Sequence, residues 1–241
     1  MWRIRWVRQG AIMTRLRLAS YNVQKAVGTD FRRDPDRVVS VIGALGADVL
    51  ALQEVDKRLH PRPSPFEIEK FLDETGLEPL PIGGTEVSMG HHGTALLVGP
   101  RVTVRETRQL ELDGFEPRGA VMADLEIEGQ SLRVIGTHLG LLRRSRARQS
   151  AELLGHVGDA PRAAILGDMN EWRTRGGLLP LAEAMEVVIP GRSFHARRPL
   201  ARFDRAALRG MSVEDCGVVR SRLARQASDH LPVWFDVTLT P

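Results

Sequence analysis

Nine short runs of apolar and β-branched residues recur along the chain, and this pattern constrains the fold more than any other feature of the sequence. Each run is bounded by polar, glycine or proline residues, which is typical of β-strands. Val121, Ala123, Leu125 and Ile127 occupy every second position and form one face, as in a strand with one buried face. The predicted strands are 16–23, 48–55, 94–98, 102–110, 120–127, 131–137, 163–166, 203–208 and 231–239.

Three helices are predicted between these strands. The first begins at Asp34-Pro35, an N-cap followed by a proline suited to the first turn. Ser64-Pro65 is predicted to open the second, and residues 143–157 form the third. The expected buried positions are Val38, Val39, Ile42 and Leu45 in the first helix and Leu153, Leu154 and Val157 in the third. Many strands with a few covering helices predict a sandwich of two sheets.

Composition excludes several classes of protein. The chain has 241 residues, 42% of them hydrophobic and 27% charged, which fits a globular domain rather than a disordered chain. The longest segment without a charged residue, 87–100, is shorter than the about 20 apolar residues of a membrane-spanning helix. Cys216 is the single cysteine, so an internal disulfide and a cysteine-based zinc site are excluded.

Residues 1–14 are Arg-rich and lack the apolar core of a secretory signal. We expect them to be a poorly ordered N-terminal extension, with translation starting at Met1 or at Met13. Residues 15–241 are expected to form a single domain, and the cytoplasm is the expected location. The net charge of +4 is carried by 31 Arg and 3 Lys. Such a balance suits a phosphate-bearing partner, although genome base composition also favours Arg over Lys.

Polar residues adjoin several of the apolar runs. Burying a polar side chain there costs free energy unless the side chain has a partner or a function. Together they supply carboxylate and amide oxygens for a divalent cation and imidazoles for acid–base chemistry. These residues are Asn22, Glu54, His138, Asp168, Asn170, Asp204, Asp229 and His230.

Five of these residues lie in three motifs that are specific when they occur in this order: Leu52-Gln53-Glu54, Gly167-Asp168-Met169-Asn170 and Ser228-Asp229-His230-Leu231-Pro232. From residue 16 to 239 the sequence resembles the endonuclease/exonuclease/phosphatase (DNase I-like) superfamily of metal-dependent phosphoesterases. Glu116-Pro117-Arg118-Gly119 and Thr137-His138-Leu139-Gly140 resemble its small bacterial branch. The resemblance implies an α+β fold, a four-layer α/β/β/α sandwich with two mixed, mostly antiparallel sheets. Gln24 and Thr94 depart from the superfamily pattern, which affects the expected substrate contacts.

The resemblance also implies roles for these residues. Glu54 would be the main Mg²⁺ ligand, with Asn22 and Asp229 as further ligands and Mn²⁺ as a substitute metal. Whether one or two ions act stays open. Asp168 would activate the attacking water, with Asn170 steering water or phosphate. His230, oriented by Asp204, would stabilise the phosphoryl group. His138 would donate to a phosphate oxygen or protonate the leaving group, and Arg118 and Asn22 would contact substrate phosphate.

Each role has a simpler alternative. Asp204 could pair with Arg202 or Arg205 on the surface, and Arg118 could be a surface residue at a turn. His91 and His92 could flank the cleft or be ordinary loop residues. The arginines at 143, 144, 146 and 148 form either a basic patch for nucleic acid or anionic lipid or a solvated helix face.

The expected function is Mg²⁺-dependent hydrolysis of phosphate esters, with a phosphodiesterase favoured over a monoesterase. Nucleic acid, a phospholipid head group and a small phosphoester stay open as substrates. The low aromatic content of 5% disfavours a single-strand nuclease. For a lipid substrate, Trp172 and residues 139–142 are the candidate apolar contacts. No obligate protein partner is implied, and the alternative is a non-catalytic phosphate-binding relative of the same fold.

Overall fold

Two mixed six-stranded sheets form the centre of the described part of the protein. The computed structural model describes residues 13–57, 61–82, 85–116, 118–174 and 176–240. Residues 1–12 of the predicted N-terminal extension lie outside this part. Thr14 is buried, and its carbonyl accepts a hydrogen bond from the backbone N–H of Leu239. The chain is therefore packed against the domain from Thr14 onwards.

The first sheet has a parallel pair at its centre, and its other neighbouring strands are antiparallel. Its strands, in spatial order, are β11 (Met211–Val218), β12 (Val233–Leu239), β1 (Arg15–Asn22), β2 (Val49–Gln53), β4 (Thr94–Val98) and β3 (Glu78–Pro79). The parallel pair is β1 and β2, and the helix α1 (Pro35–Gly43) connects them.

The second sheet repeats this plan. Its strands, in spatial order, are β5 (Thr103–Leu112), β6 (Arg118–Ile127), β7 (Gln130–His138), β8 (Ala163–Asp168), β10 (Asp204–Arg209) and β9 (Glu186–Val188). Its central pair, β7 and β8, is parallel and is connected by the helix α3 (Arg143–Val157). The remaining helices are α2 (Ile68–Thr75), α4 (Leu179–Ala184) and α5 (Arg222–Ala227), with short 3-10 turns at Gln24–Ala26 and Gly176–Leu178.

Three apolar clusters fill the spaces between the four layers. The central cluster joins the facing sides of the two sheets, with Val121, Ala123, Leu125 and Ile127 on one side, as predicted from their alternation. A second cluster joins the first sheet to α1 and α2, and a third joins the second sheet to α3 and α4. The four-layer α/β/β/α sandwich with two mixed, mostly antiparallel sheets is confirmed.

Local differences from the predicted elements have physical causes. Asp34 caps α1 as expected, accepting a hydrogen bond from Arg37 N at 3.1 Å. The second helix, however, begins at Ile68 rather than at Ser64-Pro65. The Ser64 hydroxyl accepts from the N–H of Phe66, which makes a local turn in place of a helical one. In α3, Leu153 and Val157 are buried, but Leu154 is only partly buried.

The sequence gives no signal for strand β11, an edge strand, because Ser212, Glu214 and Asp215 interrupt its apolar residues and leave no continuous apolar run. Strands β3 and β9 are too short to give a periodic signal. Among the described residues, no helix is both long and apolar enough to cross a membrane.

Candidate active site

The four parallel strands end at one common edge of the sandwich. Asn22 is the last residue of β1, Glu54 directly follows β2, and His138 and Asp168 end β7 and β8. Asp204 and His230 reach the same edge from the opposite direction, because Asp204 begins the antiparallel strand β10 and His230 precedes β12. Asp204 lies directly opposite Asp168 in the strand pairing.

Eight of the predicted site residues line one cleft at this edge, with a volume of about 880 Å³. They are Asn22, Glu54, Arg118, His138, Asp168, Asn170, Asp229 and His230. Asp204 is fully buried and contacts His230. The structure therefore brings all nine residues together, although they come from distant parts of the sequence.

Asp168 lies at the centre of this arrangement and is almost completely buried. Its Oδ2 accepts a hydrogen bond from Asn22 Nδ2 at 3.2 Å. The same oxygen is 3.4 Å from His138 Nε2 and 3.5 Å from His230 Nε2. Its Oδ1 accepts from the N–H of Asn170 at 3.0 Å. The carboxylate is thus surrounded by donors from several elements and held in one orientation.

His230 is positioned by a buried carboxylate. Its Nδ1 is 2.9 Å from Asp204 Oδ2, which also accepts a hydrogen bond from Ser193 Oγ at 2.5 Å. Burial by itself would lower the pKa of His230, but the charges of Asp204 and Asp168 and the hydrogen bond to Asp204 outweigh it and raise that pKa to about 9. His230 is therefore an imidazolium at neutral pH. Its Nδ1–H is hydrogen-bonded to Asp204, and its Nε2–H faces Asp168.

His138, in contrast to His230, is neutral. Burial is the main cause that lowers the pKa of His138 to about 3; the charge of Asp168 opposes this shift, and the cations of Arg118 and His230 add to it. Arg118 Nη1 lies 3.2 Å from His138 Nδ1, and a guanidinium can only donate, so Nδ1 is the acceptor. The proton of this neutral ring therefore resides on Nε2, facing Asp168. Arg118 also pairs with Glu116 at 2.9 Å.

The predicted metal ligands offer oxygen atoms to the cleft. The Glu54 carboxylate contacts the ammonium group of Lys25, so it is already balanced by a cation in this structure. The Asn22 side-chain oxygen accepts from Gln24 N at 3.1 Å, and the Gln24 side chain in turn accepts from Asp229 N at 3.2 Å. Carboxylate and amide oxygens are the ligands that Mg²⁺ prefers. This donor set fits a hard divalent cation at Glu54.

Sequence reasoning missed several residues of the cleft. Lys25 lies in a 3-10 turn without a motif of its own, and Asp56 follows the Glu54 signal by only two residues. Burial raises the pKa of Asp56 to about 6, although the backbone N–H groups of Met89 and Gly90 donate to it. Phe194 and Phe203 line the cleft beside His230.

Several sequence-based alternatives are now excluded. The partner of Asp204 is His230, whereas Arg205 is buried and donates to the backbone carbonyls of Arg202, Glu171 and Thr174. Arg146 is also buried and pairs with Glu171 at 3.2 Å, so it cannot belong to an exposed basic patch. Leu139 is buried, and Leu141, Leu142 and Trp172 are the exposed apolar residues of this region.

Comparison with known proteins finds a relative in sequence and relatives in fold. The chain is 30% identical over 227 residues to YbhP of Escherichia coli, an uncharacterised protein, covering 86% of this chain and 87% of the relative. It resembles the human Nocturnin catalytic domain with a TM-score of 0.73 at 19% identity, covering 94% of this chain and 95% of that one. It also resembles the mannosyl-6-phosphatase Bt3783 of Bacteroides thetaiotaomicron, with a TM-score of 0.72 at 18% identity and coverage of 92% and 99%.

The family model of the Endonuclease/Exonuclease/phosphatase family matches residues 19–230, which include every predicted site residue. Family membership supports a hydrolase of the phosphoesterase class. The chain belongs to the Endonuclease/Exonuclease/phosphatase family.

Proposed function

We propose that the protein is a Mg²⁺-dependent hydrolase of phosphate esters and that phosphodiesters are its substrates. The observation that carries this proposal is the Asp168 carboxylate, which has the Nε2 atoms of His138 and His230 within 3.5 Å. A buried base with donors on either side is what in-line attack of water on a phosphoryl group requires.

Asp168 is proposed to orient the attacking water and accept its proton. The imidazolium of His230 would then stabilise the negative charge that develops on the phosphoryl oxygens, with Asp204 holding the ring. His138 is neutral with its proton on Nε2, so it is better suited to donate a hydrogen bond than to protonate a leaving group. Asn170 donates one amide hydrogen bond to Leu139 O at 2.9 Å, and its second N–H is proposed to contact water or phosphate.

Glu54 with Asn22 and Asp229 would hold Mg²⁺, or Mn²⁺ in its place. The metal would supply Lewis-acid polarisation of the phosphoryl group when bound. Arg118 is proposed to act on substrate phosphate and also to fix the neutral tautomer of His138. These assignments use the same residues that the sequence pattern selected.

The preference for diesters is supported by two kinds of side chain that line the cleft. Aromatic side chains of Phe194, Phe203 and Trp172 line one part, and the cations Lys57 and Arg62 line another. Both groups line the same cleft as Asp168, so a phosphate there would have aromatic and cationic side chains to contact two substituents. A nucleic acid, a phospholipid head group and a small diester share this chemistry.

The test is a substrate panel assayed with the wild type and with Asp168→Asn in Mg²⁺ or Mn²⁺. The panel contains plasmid DNA, single-stranded RNA, phospholipids, and aryl phosphate mono- and diesters. The variant should lose about 10²–10⁴-fold in turnover, the range for a positioned acid–base group. Asp159→Asn, at an exposed position before β8, is the matched control and should keep full activity.

Equal turnover by Asp168→Asn and the wild type would contradict the role of Asp168. Cleavage of monoesters alone would contradict the diester preference. If no ester is cleaved while inorganic phosphate still binds, the alternative of a non-catalytic phosphate-binding relative is supported instead.

A further inference from the structure

A group of side chains with metal-ligating atoms lies at the rim of the cleft. His91 and His92 precede β4 of the first sheet, and Glu111 lies on β5 of the second. His91 Nε2 is 3.1 Å from Glu111 Oε1, and His92 Nε2 is 3.1 Å from Glu111 Oε2. One carboxylate therefore faces two imidazoles, and the three ligand atoms lie within 4.8 Å of one another.

Among the described residues, each ring has one buried nitrogen without a hydrogen-bond partner, His91 Nε2 and His92 Nδ1, whereas His92 Nε2 is hydrogen-bonded to Glu111 Oε1 at 3.4 Å. Within the described part of the chain, the buried His91 Nε2 faces the Glu111 carboxylate at 3.1 Å as an ion-pair contact and has no other partner. A hydrogen bond with the backbone of Leu110 also holds the His91 ring. Metal-binding histidines show this arrangement, with one nitrogen fixed by a backbone or carboxylate group and the other directed at the ion.

The backbone holds these rings in place. His91 and Thr94 exchange two backbone hydrogen bonds, of 2.8 and 2.9 Å, across the turn. His92 has a left-handed backbone with φ of 48°. A non-glycine residue in this conformation is uncommon and is often retained for function.

Gly119 provides the space for the rings. It pairs with Glu111 across β5 and β6. A Cβ atom at this position would lie 2.5 Å from His91 Cδ2 and 2.9 Å from His92 Cδ2. Any other residue at position 119 would therefore displace the imidazoles from the carboxylate.

We propose that His91, His92 and Glu111 form a binding site for a divalent transition-metal ion of the Zn²⁺ type. Two imidazole nitrogens and one carboxylate oxygen are typical of such ions, whereas Mg²⁺ prefers oxygen atoms alone. The site is separate from the oxygen ligands at Glu54 and does not depend on the proposed hydrolytic activity.

The position of this site indicates a structural task. A metal ion there would tie the segment before β4 to β5, and so one sheet to the other. His92 and Gly93 line the cleft, and a Cβ at Gly93 would be 3.7 Å from Glu54 Cα. The bound ion would therefore fix the wall of the cleft that packs beside Glu54.

The test is a titration of the metal-free protein with Co²⁺, whose visible absorption reports nitrogen and oxygen ligands, in saturating Mg²⁺ to occupy the hard oxygen site. We expect one Co²⁺ per chain, displaced by Zn²⁺, and a higher melting temperature with Zn²⁺. Glu111→Gln and His92→Gln should each weaken Co²⁺ binding by more than the about 10–100-fold of an outer-shell partner. Glu111 has 74% of its side chain exposed, so this variant should fold normally.

Two controls make the result specific. Glu106→Gln removes the same charge from the same strand, where Glu106 pairs with Arg108, and should bind Co²⁺ like the wild type. Glu54→Gln should also retain the Co²⁺ band. The proposal is overturned if the wild type gives no Co²⁺ band in Mg²⁺, or if Glu111→Gln and His92→Gln both bind as tightly as the wild type. It is overturned equally if Glu54→Gln abolishes the band, because the ion would then belong to the hydrolytic site.

Discussion

The substitution Asp204→Asn should change the charge state of His230 with almost no change in shape. Asp204 is buried and contacts His230 Nδ1 at 2.9 Å, and its charge is the first of the causes that raise the pKa of this histidine. Asparagine keeps the volume and removes the charge. Because burial opposes the imidazolium, the pKa of His230 should then fall from about 9 to about its ordinary value of 6.5 or lower.

The size of the effect follows from this difference. A fall of about 2.5 pH units corresponds to about 3 kcal/mol of interaction with the charged ring. Since the folded-state pKa of His230 lies above the unfolded value, its stabilisation is fully present below about pH 6.5 and is lost as pH rises through about 9. Relative to Asp204→Asn, the wild type should therefore lose stability across this window.

The assay is an NMR titration of the His230 ring nitrogens in metal-free protein, combined with urea unfolding across the same pH range. In the wild type, His230 should stay charged from pH 6 to 8, whereas in Asp204→Asn it should be largely neutral at about pH 7.5. In the proposed mechanism His230 acts as an imidazolium, so activity should fall at neutral pH when the ring is neutral. Asp215→Asn, on the edge strand β11, is a matched control for loss of a carboxylate.

The reasoning is refuted if His230 of Asp204→Asn still carries its proton at pH 8. In that case Asp168 alone would hold the imidazolium, and Asp204 would have only a packing role. A general loss of folding at all pH values would be distinguished by the unfolding curves, since the electrostatic effect is confined to the window between the two pKa values.

Three further substitutions test the residues around Glu54 in the cleft. Glu54→Gln should weaken Mg²⁺ binding because it removes a hard ligand, whereas Lys25→Gln should strengthen Mg²⁺ binding because the ammonium no longer competes for Glu54. Calorimetric titration with Mg²⁺ measures both affinities. A change of affinity in the same direction in both variants would contradict this account. For Asp56, whose pKa is raised to about 6, the charged form opposes folding. The free energy of unfolding of the wild type, relative to Asp56→Asn, should fall by up to about 3 kcal/mol as pH rises from about 4 to about 6. Urea unfolding at both pH values measures this difference. An unchanged difference between the two proteins would contradict the argument from burial.

The sequence predicts the candidate site well where a polar residue directly adjoins an apolar strand. Asn22, Glu54, His138 and Asp168 each follow or end a buried run, so their common edge could be inferred from strand polarity. Asp204 and His230 were also selected, although they begin antiparallel strands or precede them rather than end them. Both directions of approach give the same signal, because in either case a polar residue adjoins the apolar run.

Residues in irregular segments give no such signal. Lys25, Asp56 and Phe194 reach the cleft from turns and loops, where neither period nor strand position constrains the side chain. The pairing of Glu111 with His91 and His92 was equally hidden. The two histidines are adjacent in sequence, but their carboxylate comes from the other sheet, and only the packing of the two sheets brings it within 3.1 Å.

The common origin of the site lies in the repeated strand–helix–strand unit. β1-α1-β2 and β7-α3-β8 each bring two parallel strands to the same edge, and the sheets pack with these units face to face. Close approach is permitted by Gly136 in β7, where a Cβ atom would lie 2.9 Å from Leu96 Cδ2 and 3.4 Å from Ala51 Cβ. Gly136 is two residues before His138, and Ala51 is three before Glu54. The separation between Glu54 on the first sheet and His138 on the second is therefore set by apolar packing between the sheets, directly beneath these polar residues.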